Sequence, residues 1–119
     1  MIVSITLDCN DLKAQTRFWT AALGYELDEG APLHTSLAPR DGSGPRLFLN
    51  RVPEEKTVKN RMHLDWEVED IEAEATRLER LGAIRLHRGV IPGSEWITMQ
   101  DPEGNEFCVC FEQPRRVGV

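Results

Sequence analysis

Apolar and polar residues alternate along residues 61–68 and then change period. Leu64, Trp66 and Val68 interleave with His63, Asp65 and Glu67, so a strand here would be apolar on one face and polar on the other. From Asp70 onward, Ile71, Ala75, Leu78 and Leu81 recur at helical spacing and Gly82 follows as a stop. Asp70 stands where an N-cap belongs, and Glu72 and Glu74 lie where the helix macrodipole favours negative charge. The stretch predicts a strand running straight into an amphipathic helix.

The same layout occurs near the N-terminus. Ile5 and Leu7 alternate with Ser4, Thr6 and Asp8, and Asp11 takes the cap position at the spacing from Ser4 that separates Asp70 from His63. The helix that follows closes on Leu23-Gly24, as the later one closes on Leu81-Gly82. Asp41-Gly-Ser-Gly44 precedes the apolar strand Leu47-Phe-Leu49, and Asp101-Pro-Glu-Gly104 precedes Phe107-Cys-Val-Cys-Phe111. Matches repeated in the same order mark an internal duplication.

Taken in order, the pattern predicts strands over 2–8, 25–28, 34–38 and 46–52 with a helix over 12–23. It then predicts strands over 61–68, 83–88, 95–100 and 105–112 with a helix over 71–81, and turns at Gly30-Ala-Pro32, 40–45, Pro92-Gly93 and 101–104. The polar stretch 53–60, PEEKTVKN, lacks any period and reads as a connection. The chain is therefore expected to be one α+β domain over 1–119 made of two βαβββ modules, with module one at 1–52, a linker at 53–60 and module two at 61–114.

Alternation sets which side chains share a face. Ile5, Leu7, Leu47, Leu49, Leu64, Trp66, Ile97, Met99, Phe107, Val109 and Phe111 would lie against the helices. The other face would carry Ser4, Thr6, Asp8, Phe48 and Asn50 in module one, and His63, Asp65, Glu67, Trp96, Thr98, Cys108, Cys110 and Glu112 in module two. A polar surface with two aromatics suits a small-molecule cleft.

Composition narrows the function classes. With 119 residues, each half would be marginal alone, so the halves share a core or pair with another chain. A net charge of −6 argues against nucleic acid, and Arg115-Arg116 reads as a solvated tail. No apolar run approaches the ~20 residues of a membrane span, and the start MIVSITLDCND lacks the features of a signal peptide, so the expected location is the cytoplasm. Three cysteines, two of them on one face at Cys108 and Cys110, read as reduced thiols in a pocket or core.

Asp11 at the first helix, Phe18-Trp19-Thr-Ala-Ala-Leu-Gly-Tyr25, Met62-His-Leu-Asp-Trp-Glu-Val-Glu-Asp70 and Asp101-Pro-Glu-Gly-Asn105 together resemble the vicinal oxygen chelate superfamily over essentially the whole chain. The resemblance implies a glyoxalase/bleomycin resistance/dihydroxybiphenyl dioxygenase-like fold whose sheets curl around a cleft, commonly in a homodimer. In the metal enzymes of that superfamily, a divalent ion is held by side chains from the first and last strands of each module and polarises two substrate oxygens. Carried over, those positions are Ser4, Phe48 or Asn50, His63, and Cys108 or Cys110. Only His63 is a ligand of the usual kind, because a hard ion does not favour serine, asparagine and a thiol. The resemblance thus implies an incomplete site with no cofactor assigned, His63 being the position at which a divalent metal would bind.

Ser4, Phe48, Asn50, His63, Trp96, Cys108, Cys110 and Glu112 are accordingly expected to hold a small organic molecule, with no catalytic residue assigned. Each has a plainer reading. His63 can be tied to Asp65 or Ser4, the two thiols can be small packing residues or soft zinc ligands with His63, and Trp96 can be core or a stacking wall. Glu67 and Glu112 can act as a general base or be exposed strand-end acids, and His34 and His87 belong on the surface. Two rival functions stand beside simple binding. One is a metal-dependent lyase, epimerase or dioxygenase using His63 with Glu67 or Glu112. The other is an antibiotic-sequestering protein with Trp96 and Phe48 as walls and Asp8, Asp65 and Glu67 facing a cationic drug.

Overall fold

Both helices begin where an aspartate can cap them. In the computed structural model, which describes residues 4–113, α1 spans Leu12–Leu23 and α2 spans Ile71–Arg80. The Asp11 carboxylate accepts the Ala14 N–H at 3.0 Å and the Asp70 carboxylate accepts the Ala73 N–H at 3.0 Å, each satisfying a donor that the first turn leaves open. Glu72 and Glu74 occupy the first turn of α2, and Arg77 and Arg80 the last, in the sense the macrodipole favours. α1 closes on Gly24 at φ 67°, a left-handed conformation in which a Cβ is penalised. α2 stops one residue earlier than its apolar period suggests. Leu81 becomes its C-cap and is 36% exposed, which corrects the expectation that Leu81 packs on the buried side.

The strands form one sheet in each of two units, the first ending at Thr57 and the second beginning at Val58. In the first, β1 (Ser4–Cys9), β2 (Tyr25–Ala31), β3 (His34–Pro39) and β4 (Arg46–Arg51) lie in the order β1-β4-β3-β2, with β1 parallel to β4. In the second, β5 (Leu64–Glu67), β6 (Ile84–Ile91), β7 (Ser94–Gln100) and β8 (Glu106–Glu112) lie in the order β5-β8-β7-β6, with β5 parallel to β8. The duplication inferred from spacing is therefore a duplication of topology, and the fold is α+β with two βαβββ modules. Residues 53–60 contain no helix or strand. Among the described residues no helix is long and apolar enough to cross a membrane. The expected strand start at residues 2–3, the Arg115-Arg116 pair and residue 114 lie outside the described residues.

Strand limits differ from expectation for local reasons. β2 runs through Gly30 and Ala31, moving the turn to Pro32-Leu33, and a bulge between Leu27 and Glu29 absorbs the extra residue. β6 continues to Ile91 with a similar bulge between Arg85 and His87. β5 starts only at Leu64, so His63 precedes the strand and does not open it. Ahead of it, the Asn60 N–H donates to the Glu106 carboxylate at 2.9 Å, so a side chain of β8 holds the end of the connection.

Each helix covers one face of its own sheet. Phe18, Trp19 and Ala22 bury Leu37, Leu47 and Leu49, and Thr16 and Thr35 join α1 to β3 through a 2.9 Å hydroxyl contact. Ile71, Ala75 and Leu78 bury Ile97, Met99, Phe107 and Val109. Each such large side chain contributes about 1.5–3 kcal/mol on removal from water. Trp66 stacks on Phe107, with ring centroids 5.2 Å apart, and its indole N–H donates to Glu74 of α2 at 2.9 Å. The opposite face of each sheet is left for polar side chains.

Candidate functional site

β8 divides its side chains by parity. Phe107 and Val109 are buried under α2, while Cys108, Cys110 and Glu112 project from the other face. The ladder brings Trp96 opposite Cys110, Thr98 opposite Cys108 and Ser94 opposite Glu112, and on the far side of β8 it sets Asp65 opposite Cys108. His63, just before β5, completes the group. A pocket of about 210 Å³ is lined by His63, Asp65, Ser94, Trp96, Cys108, Cys110 and Glu112.

Its hydrogen bonds are few and directed. His63 Nδ1 and Asp65 Oδ1 are 2.7 Å apart, so the carboxylate orients the imidazole. Cys108 Sγ lies 3.4 Å from Thr98 Oγ1, and the Cys110 thiol donates to the Trp66 carbonyl at 3.4 Å. Burial, reinforced by the negative charge of Asp65, pushes the Cys108 thiol up, against a smaller opposing effect of the Thr98 hydroxyl. Burial also raises the Cys110 thiol, followed by Asp65, Glu112 and Glu67. Both sulfurs are therefore protonated at neutral pH, weak donors and acceptors in place of nucleophiles.

Of the residues expected to line a site, His63, Trp96, Cys108, Cys110 and Glu112 are brought together in the second unit. Ser4, Phe48 and Asn50 lie on the first unit's sheet, where Phe48 is flanked by Thr6 on β1 and Ser36 on β3, and Asn50 by Asp8 and His34. His34 and His87 are exposed. Asp65, expected on this face as a partner of His63 and as an acid facing a cationic drug, joins the lining, and so does Ser94, which had no assigned role. Asp65 shares the alternation of the polar face, whereas Ser94 fell between the expected turn at Pro92-Gly93 and the expected strand from 95, and proves to be the first residue of β7. A second cavity of about 630 Å³ lies in the first unit between Leu12, Lys13, Thr16, Arg17, Pro32 and Thr35. Its two hydroxyls are bonded to each other, and it gathers no imidazole, thiol or carboxylate.

His63, Asp65 and Cys108 also present their ligand atoms within 4.8 Å of one another. That set offers a nitrogen already hydrogen-bonded to the carboxylate and a sulfur that burial keeps protonated. It does not fit a hard ion that seeks several oxygens.

Comparison with known proteins follows the fold closely. The model of the glyoxalase-like domain matches residues 4–110. A glyoxalase/bleomycin resistance protein/dioxygenase family enzyme from Burkholderia phytofirmans is similar in structure with a TM-score of 0.76 at 15% identity, covering 92% of this chain and 97% of the other. One from Nocardioides gives 0.75 at 21% identity, covering 99% and 89%. A mutant of the fosfomycin resistance protein FosX from Listeria monocytogenes, complexed with Mn(II) and a dihydroxypropylphosphonic acid, gives 0.79 at 15% identity, covering 95% and 90%. At these identities the likeness concerns the fold alone. No curated protein matches the sequence.

Proposed function

Since the chain belongs to the glyoxalase-like domain family, within the vicinal oxygen chelate superfamily, we propose that its second unit binds a small organic molecule in the pocket over Cys108 and Cys110. The observation that carries this reading is the convergence of an indole, an oriented imidazole, two carboxylates and two neutral thiols on one concave space of about 210 Å³. A few placed polar groups beside an aromatic wall are what small-molecule recognition requires. Asp65 and Glu112 favour a ligand with a positive or hydrogen-donating end, which Trp96 can also hold by its ring face. Ser4, Phe48 and Asn50 are proposed as ligand contacts of the first unit's own sheet, where β1, β3 and β4 set them beside one another.

A thermal-shift panel of small organic cations, acids and neutral aromatics on the purified chain tests this. A compound at ~100 times its Kd stabilises by roughly 2.7 kcal/mol, several degrees of Tm. The response should be lost in Trp96→Ala and weakened in Glu112→Gln. A panel without a hit, or hits indifferent to both substitutions, refutes the reading.

A metal-dependent reaction is the second reading, favoured by the His63, Asp65 and Cys108 cluster. The donors suit a borderline ion such as zinc better than manganese. Elemental analysis of the purified chain decides it. Stoichiometric zinc that disappears in His63→Ala supports the metal reading, and equal zinc in both proteins removes it.

A further inference from the structure

Of the glycines whose φ is described, most stand where the backbone turns left-handed, as at Gly24, Gly42, Gly44, Gly82, Gly93 and Gly104. Gly89 does not. It lies inside β6 without positive φ, where glycine is a conformational disadvantage in a strand. The reason for glycine lies across the ladder. A Cβ at Gly89 would meet Trp96 at 2.1 Å from Cε2, 2.1 Å from Cζ2 and 2.7 Å from Nε1, whereas the same addition at Gly30 would make only ordinary contact at 3.9 Å. The indole rests on the bare backbone of β6.

The position of that ring determines the pocket. Trp96 has two cross-strand neighbours on its face, Gly89 on β6 and Cys110 on β7's other partner β8. Leaning onto Gly89, the indole leaves the space above Cys108 and Cys110 open. We propose that Gly89 is the positioning residue that holds the pocket open, its missing side chain admitting the Trp96 ring to β6 and so keeping that ring off the thiols. Any side chain at this place drives the ring toward β8, into a volume of about 210 Å³ that one indole largely fills. The size limit for a ligand is then set by a residue that does not line the pocket.

This inference deepens the reading of the pocket as a ligand site, yet its test needs no ligand, so either can fail alone. Iodoacetamide labelling at mildly alkaline pH, resolved by peptide mass spectrometry, reads access to each thiol. Cys9, 2% exposed, serves as the protected control. In Gly89→Ala, labelling of Cys108 and Cys110 should fall by about tenfold while Cys9 stays protected, and Gly89→Ala with Trp96→Ala should recover the wild-type rates. Unchanged or faster labelling in Gly89→Ala overturns the proposal, as does a double variant that stays slow. Trp96→Ala alone keeps the question decidable should Gly89→Ala not fold. Its pocket thiols should label within about threefold of wild type, because the ring is already off them, and a tenfold rise would show that the ring had covered them.

Discussion

The turn before β8 is held by one buried carboxylate, and its removal can be worked through. Asp101 is 1% exposed. Its Oδ1 accepts the Glu103 and Asn105 N–H groups, each at 2.9 Å, and its Oδ2 accepts the Asn105 side-chain amide at 2.9 Å. Asp101→Ala strips the acceptor from all three donors. The Glu103 N–H can regain water, but Asn105 is 8% exposed and its two donors cannot do so easily. Each buried donor left unpaired costs about 1–3 kcal/mol, so a loss of about 3–5 kcal/mol is expected, a large share of a typical domain's stability. Asp101→Asn keeps an oxygen for the backbone donors and sets its own amide against that of Asn105, so it should cost less, about 1–2 kcal/mol. Urea unfolding followed by fluorescence measures both, and with a slope of roughly 1.5 kcal/mol per M the alanine midpoint should drop by about 2–3 M. Asp41, the counterpart in the first unit, bonds Ser43 in the same way but in full exposure, and Asp41→Ala should be much milder. An Asp101→Ala cost under about 1 kcal/mol, or equal costs for alanine and asparagine, would refute the account of this turn.

Two further outcomes follow from titrating groups. Because Cys108 and Cys110 are raised above the ordinary thiol value, the unfolded chain loses these protons first as pH rises. The folded state then binds more protons, so stability should fall as pH rises from the ordinary thiol value through the raised values of the folded thiols, and Tyr25, itself raised by burial, adds to the fall at higher pH. Replacing both thiols by alanine should flatten that limb in pH-dependent melts, and an unchanged slope would contradict the assignment. Glu74 is held below its usual range, first by Arg77, against partial burial and with help from the Trp66 N–H. Its contribution is present above the ordinary glutamate value and lost as pH falls through the folded value. Glu74→Gln should therefore cost about 1 kcal/mol at neutral pH and progressively less in acid, as paired melts of the two proteins would register.

The fold was legible because it is written in positions that repeat. Asp11 and Asp70 cap, Leu23-Gly24 and Leu81-Gly82 close, and the alternating residues of β1, β4, β5, β7 and β8 announce one face each. What escaped were features with no periodic trace. Bulges in β2 and β6 carry those strands past Asp28 and Arg88, where the period breaks, so Gly30 and Gly89 were read as lying outside strands they occupy. Leu81 keeps its helical spacing yet falls on the cap, since spacing does not tell where the last hydrogen bond is made. The site was half visible for the same reason. Parity assigned Cys108, Cys110, Glu112 and Trp96 to one face, but nothing local shows that an indole leans on a glycine of the next strand.

Parity also explains why a shared fold leaves the chemistry open. Along β8, Phe107 and Val109 hold α2 while Cys108 and Cys110 look into the pocket, so successive residues answer to different demands. Changes on the pocket face need not disturb the packed face, and the two sets lie on opposite sides of a sheet with separate neighbours. Their effects should then add to within about 0.5 kcal/mol. Cys108→Ala combined with Val109→Ala is the direct check, since the residues are adjacent in sequence and project from opposite faces of β8. The valine change should carry most of the stability loss, near 2 kcal/mol by the methyl groups removed, and the thiol change most of any loss in ligand response. Strong coupling in unfolding experiments would mean that the sheet transmits strain between its faces, and the separation of fold from chemistry would fail with it.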